Sequence, residues 1–383
     1  MKAFKNVSVY VEGKGVIKTS VFFGEKIEKI GGCVKGAEAI DLPEGAIVLP
    51  GFIDEHIHGA GGSDAMDGTQ KDLSVIAETV AQEGTTTFLA TTMTQSRDNI
   101  LKAMRAVKEY RAANGEAGAR IAGVHLEGPF IAAAHKGAQP LEYVAAPNAQ
   151  VFDEYNEASG NCIKLITLAP EEEGALGFIR HLVNRGVTVS IGHSGATCAQ
   201  VRAAIEAGAT NVTHTYNAQS PLHHREIGVV GSALLYDELY SELICDTIHV
   251  SVPAMQLLVK NKPADKLALI TDAMRAKGLA DGVSELGGQT VIVKNGEARL
   301  QNGTLAGSVL KMNRALQNMV QKVGAPFTQA VDYCTINPAR TLKIDGETGS
   351  IAVGKRADFA VIDEDYNVIC TVRDGREIYR ANK

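Results

Sequence analysis

The sequence has 383 residues, of which 45% are hydrophobic and 21% are charged. This balance is typical of a globular enzyme and excludes an intrinsically disordered chain. Lysine and arginine number 38 against 44 acidic residues, so the net charge is −6 and the basic excess of a nucleic-acid-binding protein is missing. No apolar run reaches the roughly 18 residues of a transmembrane helix, and the N-terminal residues lack a signal-peptide pattern. We expect a cytoplasmic protein that binds neither nucleic acid nor membrane.

Both ends of the chain are predicted to form strands, because short β-branched runs alternate there with turn residues. Three such runs occur in the first 50 residues, and two or three more occur in the last 40. Chain termini often lie close together. We therefore predict that residues 1–50 and 343–383 form one small β-sandwich domain, and that residues 51–342 form a catalytic domain between them.

The middle of the chain repeats a unit in which a short apolar run precedes an amphipathic segment. Eight apolar runs begin at residues 51, 85, 120, 162, 186, 209, 241 and 266. Eight β-then-α units over about 290 residues predict an α/β fold of the TIM (β/α)8 barrel type. A doubly wound open sheet is the alternative, but the HGAGGSD turn after the first run does not match the G-x-G-x-x-G fingerprint of that fold.

Histidine and acidic residues recur at the ends of these predicted strands. They are His56 and His58 in the first unit, Glu127 in the third, His193 in the fifth, His214 in the sixth, Asp246 and His249 in the seventh, and Asp272 in the eighth. The carboxyl ends of TIM-barrel strands converge on one active site. Imidazole and carboxylate suit zinc, iron or manganese, so the pattern predicts a metal centre. His125, two residues before Glu127, is expected to support it from behind.

The predicted ligands fall into two sets. His-x-His on a strand places both rings on one face, so the histidine pair of the first unit can bind one ion. Glu127, His193 and His214 supply a second set of ligands. A bound ion lowers the pKa of its water to about 7, and Asp272 can take a proton from that water and return it to a leaving group. Each residue alone has a structural explanation; Asp272, for example, can cap a helix. Their joint placement at equivalent positions favours the metal centre.

Other catalytic chemistries have less support. The sequence contains neither the G-x-S-x-G nucleophile elbow nor the G-x-x-x-x-G-K-[ST] phosphate loop. Cys245 is expected to be a barrel core residue. The remaining histidines are expected on the surface or in loops: His135, His181, His223 and His224.

Seven segments, in order over essentially the whole chain, match a known family. They are PGFIDEHIHGAGG, HLEGPF, KGAQP, IGHS, THTYNAQSPLHHREIGVVG, ITDAM and NGTLAGS. They resemble the amidohydrolase superfamily and, within it, the N-acetylglucosamine-6-phosphate deacetylases. The resemblance implies metal-dependent hydrolysis of N-acetyl-D-glucosamine 6-phosphate to D-glucosamine 6-phosphate and acetate, in amino-sugar catabolism or cell-wall sugar recycling.

The resemblance also implies residue roles. Glu127, His193 and His214 are similar to the family's core metal ligands, and Asp272 is similar to its acid–base residue. The positions similar to its substrate contacts are Ala138, Gln139, Asn217, Ala218, Arg225, His249, Leu305, Ala306 and Gly307. In the family the arginine comes from the neighbouring subunit, which implies a homodimer in which Arg225 reaches the other subunit's site.

Two features distinguish this sequence within the family. Some members lack the first His-x-His and hold one metal ion, so His56 and His58 imply the two-metal type. Some members have histidine where this chain has Gln139. The neutral amide of glutamine donates hydrogen bonds but cannot carry charge or move a proton. The metal stays open between zinc, iron and manganese.

Two other functions stay open on the residues alone. One is another amidohydrolase, acting on a cyclic amide or deaminating a base, which would not need Arg225. The other is a non-catalytic sugar-phosphate-binding regulator, which would tolerate loss of Asp272 and the metal ligands. The choice among glucosamine, galactosamine and mannosamine phosphates depends on loop contacts that the sequence does not reveal.

Overall fold

The computed structural model describes residues 1–113 and 117–382. In chain order its strands are β1 (Lys2–Val11), β2 (Gly15–Phe23), β3 (Ile27–Ile30), β4 (Glu38–Ala39), β5 (Ile47–Pro50), β6 (Phe52–Ile57), β7 (Gly59–Ala60), β8 (Ser63–Asp64), β9 (Thr85–Thr92), β10 (Arg120–Glu127), β11 (Ile163–Leu168), β12 (Thr188–Ile191), β13 (Asn211–Val212), β14 (Tyr240–Ile244), β15 (Leu267–Ile270), β16 (Gly282–Leu286), β17 (Gln289–Lys294), β18 (Glu297–Leu300), β19 (Phe359–Ile362), β20 (Val368–Arg373) and β21 (Arg376–Arg380). The helices are α1 (Gln70–Ala81), α2 (Arg97–Ala112), α3 (Ala149–Ala158), α4 (Ala175–Asn184), α5 (Cys198–Ala207), α6 (Gly228–Leu235), α7 (Val252–Asn261), α8 (Met312–Asn318), α9 (Phe327–Cys334) and α10 (Ile336–Thr341). Short 3-10 turns cover Ala65–Asp67, Ala133–His135 and Leu141–Tyr143, and a π-helical turn at Met319–Val323 follows α8.

Eight parallel strands form a barrel in the order β6, β9, β10, β11, β12, β13, β14 and β15. Each overlaps one of the eight apolar runs, so the predicted (β/α)8 barrel is confirmed. The first and last strands meet at their carboxyl ends. There the Asp272 N–H donates to the His56 carbonyl at 2.8 Å, and the His58 N–H donates to the Ala273 carbonyl at 2.9 Å. This junction places the first and eighth strand ends side by side.

The helices between the strands follow the apolar periodicity of the sequence. In α4 the buried positions recur every three or four residues, at Ala175, Phe178, Ile179 and Leu182. Helix α5 begins at a capping box in which Thr197 and Gln200 satisfy each other's N–H groups, and it ends at Gly208 with φ at 113°. In the described parts of the chain, no helix combines the length and the apolar character that crossing a membrane requires.

Helix α10 closes the amino-terminal end of the barrel. Its Ile336 and Ala339 pack against Ile53, Leu89 and Leu165 from inside the barrel. The Asn337 side chain donates to the Leu267 carbonyl at 2.8 Å, at the start of β15. A closed floor at this end leaves the opposite, carboxyl end as the open face of the barrel.

Strands from both chain ends form a second sheet, in the order β21, β20, β19, β5, β1, β2 and β3, with β4 beside β1. Phe23 on β2 and Phe359 on β19 are two intervening strands apart, roughly 14 Å in a flat sheet at about 4.8 Å per strand. Their ring centroids are only 4.9 Å apart. The sheet therefore curls over a shared core and packs in the manner of a sandwich. The proposed domain limits, 1–50 with 343–383 and 51–342, stay a prediction, and residues 114–116 and 383 within them lie outside the described residues.

Strands β16, β17 and β18 form a small antiparallel sheet that the sequence analysis did not predict. It follows β15 in the chain and buries Leu286 against Met93 and Met274. These contacts place the small sheet at the carboxyl end of the barrel, beside the site described below.

Candidate metal centre and active site

Six predicted residues meet at the open end of the barrel, and all are buried: His56, His58, Glu127, His193, His214 and Asp272. Three of them lie two residues after the end of a strand: His193 after β12, His214 after β13 and Asp272 after β15. They have positive φ angles of 48° for His193, 28° for His214 and 46° for Asp272. Such a backbone costs about 1–3 kcal/mol per residue and clusters at functional sites. The strained turns direct three side chains from separate strands toward one point.

Glu127, His193 and His214 form the first group of converging atoms. Glu127 Oε1 lies 3.2 Å from Nε2 of His193 and 3.2 Å from Nε2 of His214, and the two nitrogens are 3.1 Å apart. Three atoms bound to one tetrahedral ion at about 2.0–2.2 Å lie roughly 3.3–3.5 Å from one another. The group therefore fits a metal ion, and its neutral imidazoles and carboxylate suit zinc, iron or manganese.

His56, His58 and Asp272 form the second group. Asp272 Oδ1 lies 3.2 Å from Nε2 of His58 and 3.5 Å from Nε2 of His56. Glu127 reaches this group too, with Oε1 3.3 Å from His56 and Oε2 3.4 Å from His58. His56 Nε2 is buried and has no hydrogen-bond partner within the described chain. Glu127 therefore lies between two groups that can each hold an ion.

Groups behind the ligands fix the imidazole orientations. Glu242 Oε2 lies 3.0 Å from Nδ1 of His56 and also accepts the backbone N–H of His214 at 3.1 Å. Nδ1 of His193 lies 2.9 Å from the His135 carbonyl. A donor proton held on Nδ1 leaves Nε2 free to bind metal. The expected supporting residue, His125, contacts His56 edge to face at 4.4 Å between centroids and bonds to Thr167 instead of to a ligand.

The charges of the cluster depend strongly on one another. Burial alone would lower the pKa of His58, but Asp272 and Glu127 raise it to about 10. Burial alone would raise the pKa of Asp272, but His56 and His58 hold it below its usual value. In the metal-free chain His58 is therefore protonated at neutral pH, and metal binding must release protons.

A cavity of about 360 Å³ opens beside these residues. Most of the predicted substrate positions line it: Ala138, Gln139, Asn217, Ala218, His249, Leu305 and Gly307. The side chain of Ala306 is instead buried with Met274 in the core beneath the small sheet. Arg225 does not line this cavity; it is exposed, and its guanidinium lies 2.8 Å from His224 Nε2. As substrate contacts, Ala306 and Arg225 stay predictions.

Sequence reasoning missed several residues of the site. The cavity wall also contains Met93, Ala134, His135, Gly137, Leu286 and Thr304. His135 was expected only as a surface or loop residue, yet its carbonyl orients a ligand. The one sequence signal for Glu242 was an acidic residue inside a predicted barrel strand. Leu286 and Thr304 come from the small sheet and its following turn, which had no recognisable signal.

His249 forms a fixed polar group in the cavity wall. Asp246 Oδ2 lies 2.6 Å from His249 Nδ1, and Asp246 Oδ1 accepts the backbone N–H groups of Ile248 and His249 at 2.8 Å each. Burial alone would lower the pKa of His249, but Asp246 raises it. The imidazole thus has one orientation and a tendency to carry positive charge, as a site for an anionic ligand requires.

Comparison with known proteins agrees with this geometry. Residues 47–378 match the amidohydrolase family. The chain belongs to this family. It is 43% identical to the N-acetylglucosamine-6-phosphate deacetylase of Bacillus subtilis (strain 168), over 88% of this chain and 86% of the relative. It is 39% identical to the N-acetylgalactosamine-6-phosphate deacetylase of Escherichia coli O157:H7, over 84% and 85% of the two chains.

A solved structure extends the likeness to the whole fold. It is a mutant N-acetyl-D-glucosamine-6-phosphate deacetylase from Mycobacterium smegmatis in complex with N-acetyl-D-glucosamine-6-phosphate, with a TM-score of 0.91 and 30% identity over 98% of this chain and 99% of that one. The family resemblance drawn from the sequence motifs is therefore confirmed.

Proposed function

We propose that this chain hydrolyses the acetamide of N-acetyl-D-glucosamine 6-phosphate to D-glucosamine 6-phosphate and acetate, in the cytoplasm, during amino-sugar catabolism or recycling. The observation that carries the proposal is the convergence of two potential metal-binding groups and Asp272 on one cavity. It gains support from the 43% identity to the Bacillus subtilis deacetylase over 88% of the chain.

The two groups of ligands are proposed to hold one or two divalent ions per subunit, of zinc, iron or manganese. Glu127, His193 and His214 form one group, and His56 and His58 with Asp272 form the other. When bound, such an ion acidifies a water molecule and polarises a carbonyl oxygen. The burial of all the ligands keeps bulk water away from this chemistry.

Asp272 is proposed as the catalytic acid–base residue. In the metal-free chain His56 and His58 hold its pKa below the usual value, which favours the ionised carboxylate. The carboxylate lines the cavity and can accept the proton of the attacking water. As the carbon–nitrogen bond of the acetamide breaks, the same oxygen donates that proton to the leaving amine nitrogen.

The cavity walls are proposed to bind the sugar phosphate. Asn217, Ala218 and His249 line the cavity, where Asn217 and His249 offer polar side chains. Arg225 is absent from the lining of its own subunit's cavity, so we propose a homodimer in which each Arg225 enters the neighbouring cavity. A guanidinium binds phosphate through two parallel N–H groups, which would add a second positive group beside His249.

The direct test measures amine release from N-acetylglucosamine 6-phosphate after chelation and re-addition of zinc, iron or manganese. The unphosphorylated sugar is the matched substrate control. We expect metal-dependent turnover of the phosphorylated sugar, and little of the other. Turnover of neither sugar with any metal would contradict the proposed reaction and favour a cyclic-amide hydrolase or a non-catalytic regulator. Equal turnover of both sugars would contradict the phosphate pocket.

A variant pair tests the acid–base residue. Asp272→Asn is expected to lower kcat by at least about 100-fold, because general acid–base catalysis typically contributes about 10²–10⁴. Asp153→Asn is the control, since Asp153 pairs with His181 and Arg185 on the outer surface. Normal turnover by Asp272→Asn would refute the assignment.

N-acetylgalactosamine 6-phosphate is a second candidate substrate. The specific observation in its favour is the 39% identity to the Escherichia coli enzyme named for that sugar. The same assay, run with both hexosamine phosphates, decides between them by the ratio of kcat/KM.

A further inference from the structure

Gln139 forms two short hydrogen bonds inside the active site. Its Oε1 accepts the backbone N–H of Thr94 at 2.6 Å, and its Nε2 donates to Glu127 Oε2 at 2.6 Å. A backbone N–H can only donate and a carboxylate only accepts. The chemistry of the two partners therefore fixes which end of the amide faces which group, and Nε2 must face Glu127.

The orientation of Glu127 affects both groups of ligands, because Oε1 lies between His56 Nε2, at 3.3 Å, and the first group, while Oε2 faces the second group. Oε1 lies 3.2 Å from the ring nitrogens of His193 and His214, whereas Oε2 lies 3.4 Å from His58. A rotation of this carboxylate would move both potential metal sites at once. The bond from Gln139 to Oε2 opposes that rotation without adding charge.

The chain segment that carries Gln139 also orients a second ligand. The His135 carbonyl lies 2.9 Å from Nδ1 of His193, and the Ala132 N–H donates to the His193 carbonyl at 3.0 Å. The Gln289 side chain on β17 donates to the Ala138 carbonyl at 2.5 Å and holds the segment from outside. Residues 132–139 thus connect the cavity wall to two metal ligands.

We propose that Gln139 is a positioning residue that holds Glu127 between the two ligand groups and thereby sets the metal affinity of the centre. This inference rests on the proposed metal-dependent function. Removing a hydrogen-bond partner of a metal ligand typically weakens metal affinity about 10–100-fold. Gln139→Met keeps the length of the side chain and removes both hydrogen bonds, so we expect a loss in that range.

The first experiment measures zinc affinity without substrate, by competition with a chromophoric chelator, for the parent chain and Gln139→Met. Asn337→Leu is the matched control, because Asn337 is a buried amide whose Nδ2 donates to the backbone carbonyls of Ala264 and Leu267 at the closed end of the barrel. We expect Gln139→Met to bind zinc about 10–100-fold more weakly, and Asn337→Leu to keep parental affinity. Affinity within twofold of the parent, or equal losses in both variants, would overturn the proposal.

Kinetics separate positioning from direct substrate contact. For Gln139→Met we expect the zinc concentration that gives half-maximal activity to rise by the same factor as the zinc dissociation constant. At saturating zinc, KM for the sugar phosphate should change less than threefold. A raised KM with unchanged zinc dependence would assign Gln139 to substrate binding instead and overturn the proposal.

A measurement on the unmodified chain covers the case in which Gln139→Met does not fold. Fixing Glu127 with metal should also fix Gln139, so hydrogen exchange of the buried Thr94 N–H should slow on zinc addition. Exchange that does not change when zinc binds would contradict the inference. A parent chain that binds no zinc, iron or manganese would instead remove the proposed metal-dependent function itself.

Discussion

Asp54 joins the first barrel strand to the last, and its loss should loosen both sides of the metal centre. Its Oδ2 accepts the Thr271 hydroxyl at 2.5 Å, and its Oδ1 accepts the N–H groups of Thr271 at 3.3 Å and His56 at 3.4 Å. Each buried donor left without an acceptor costs about 1–3 kcal/mol. Asp54→Ala leaves three such donors, of which one had a short bond, so we expect the free energy of unfolding to fall by about 3–5 kcal/mol.

Urea denaturation of the metal-free chain measures this loss, and a double-mutant cycle assigns it. Thr271→Val removes the hydroxyl with little change of shape and is expected to cost about 1–3 kcal/mol. Because the two side chains are bonded, the double variant should lose at least about 1 kcal/mol less than the two single losses together. The kcat should also fall, since His56 and Asp272 adjoin the lost bonds. Losses that add to within about 0.5 kcal/mol would refute the reasoning.

Three further predictions concern the phosphate pocket, its pH dependence and the barrel interior. Arg225→Ala should raise KM for the phosphorylated sugar at least tenfold and leave kcat/KM for the unphosphorylated sugar unchanged; parallel changes in steady-state assays would contradict the phosphate role. Since Asp246 raises the pKa of His249, positive charge on this histidine persists above its ordinary pKa of about 6.5 and is lost as pH rises through the raised value. Affinity for the anionic substrate should fall as this charge is lost. Asp246→Asn should move that fall to lower pH, and a pH profile of KM identical to the parent's would argue against the role of Asp246. Lys277→Met leaves the buried Glu83 without its ion-pair partner and should lower the free energy of unfolding by about 3–5 kcal/mol, as measured in urea; a loss below about 1 kcal/mol, typical of an exposed pair, would contradict the buried assignment.

The sequence predicted the barrel and its ligands because two patterns coincide: the repeat of the apolar runs, and the polar residues that recur at the ends of those runs. The apolar runs set the strands, and parallel strands in a barrel bring their carboxyl ends together. A residue's position after its strand was therefore enough to place His193, His214 and Asp272 at one point. The strained backbone at these positions had no sequence signal, since none of the three is glycine.

The contacts that support the ligands could not be predicted in the same way. Glu242 reaches His56 from the opposite side of the barrel junction, and the His135 carbonyl reaches His193 from a loop. The first contact depends on which strands lie side by side and the second on loop conformation, and neither follows from the period of the sequence. Gln139 lines the cavity and stays a predicted substrate contact. That its amide also bonds to Glu127 is a pairing that only the folded loop creates.

The pairing of β5 with β19 affects the order in which the chain can fold during synthesis. Residues 47–50 are made about 300 residues before their partners, residues 359–362. Until then one edge of β5 has no partner and is open to wrong pairing. Only Gly51 separates β5 from β6, the strand that carries His56. A nascent chain that stops short of β19 should therefore contain every metal ligand and still hold the metal weakly.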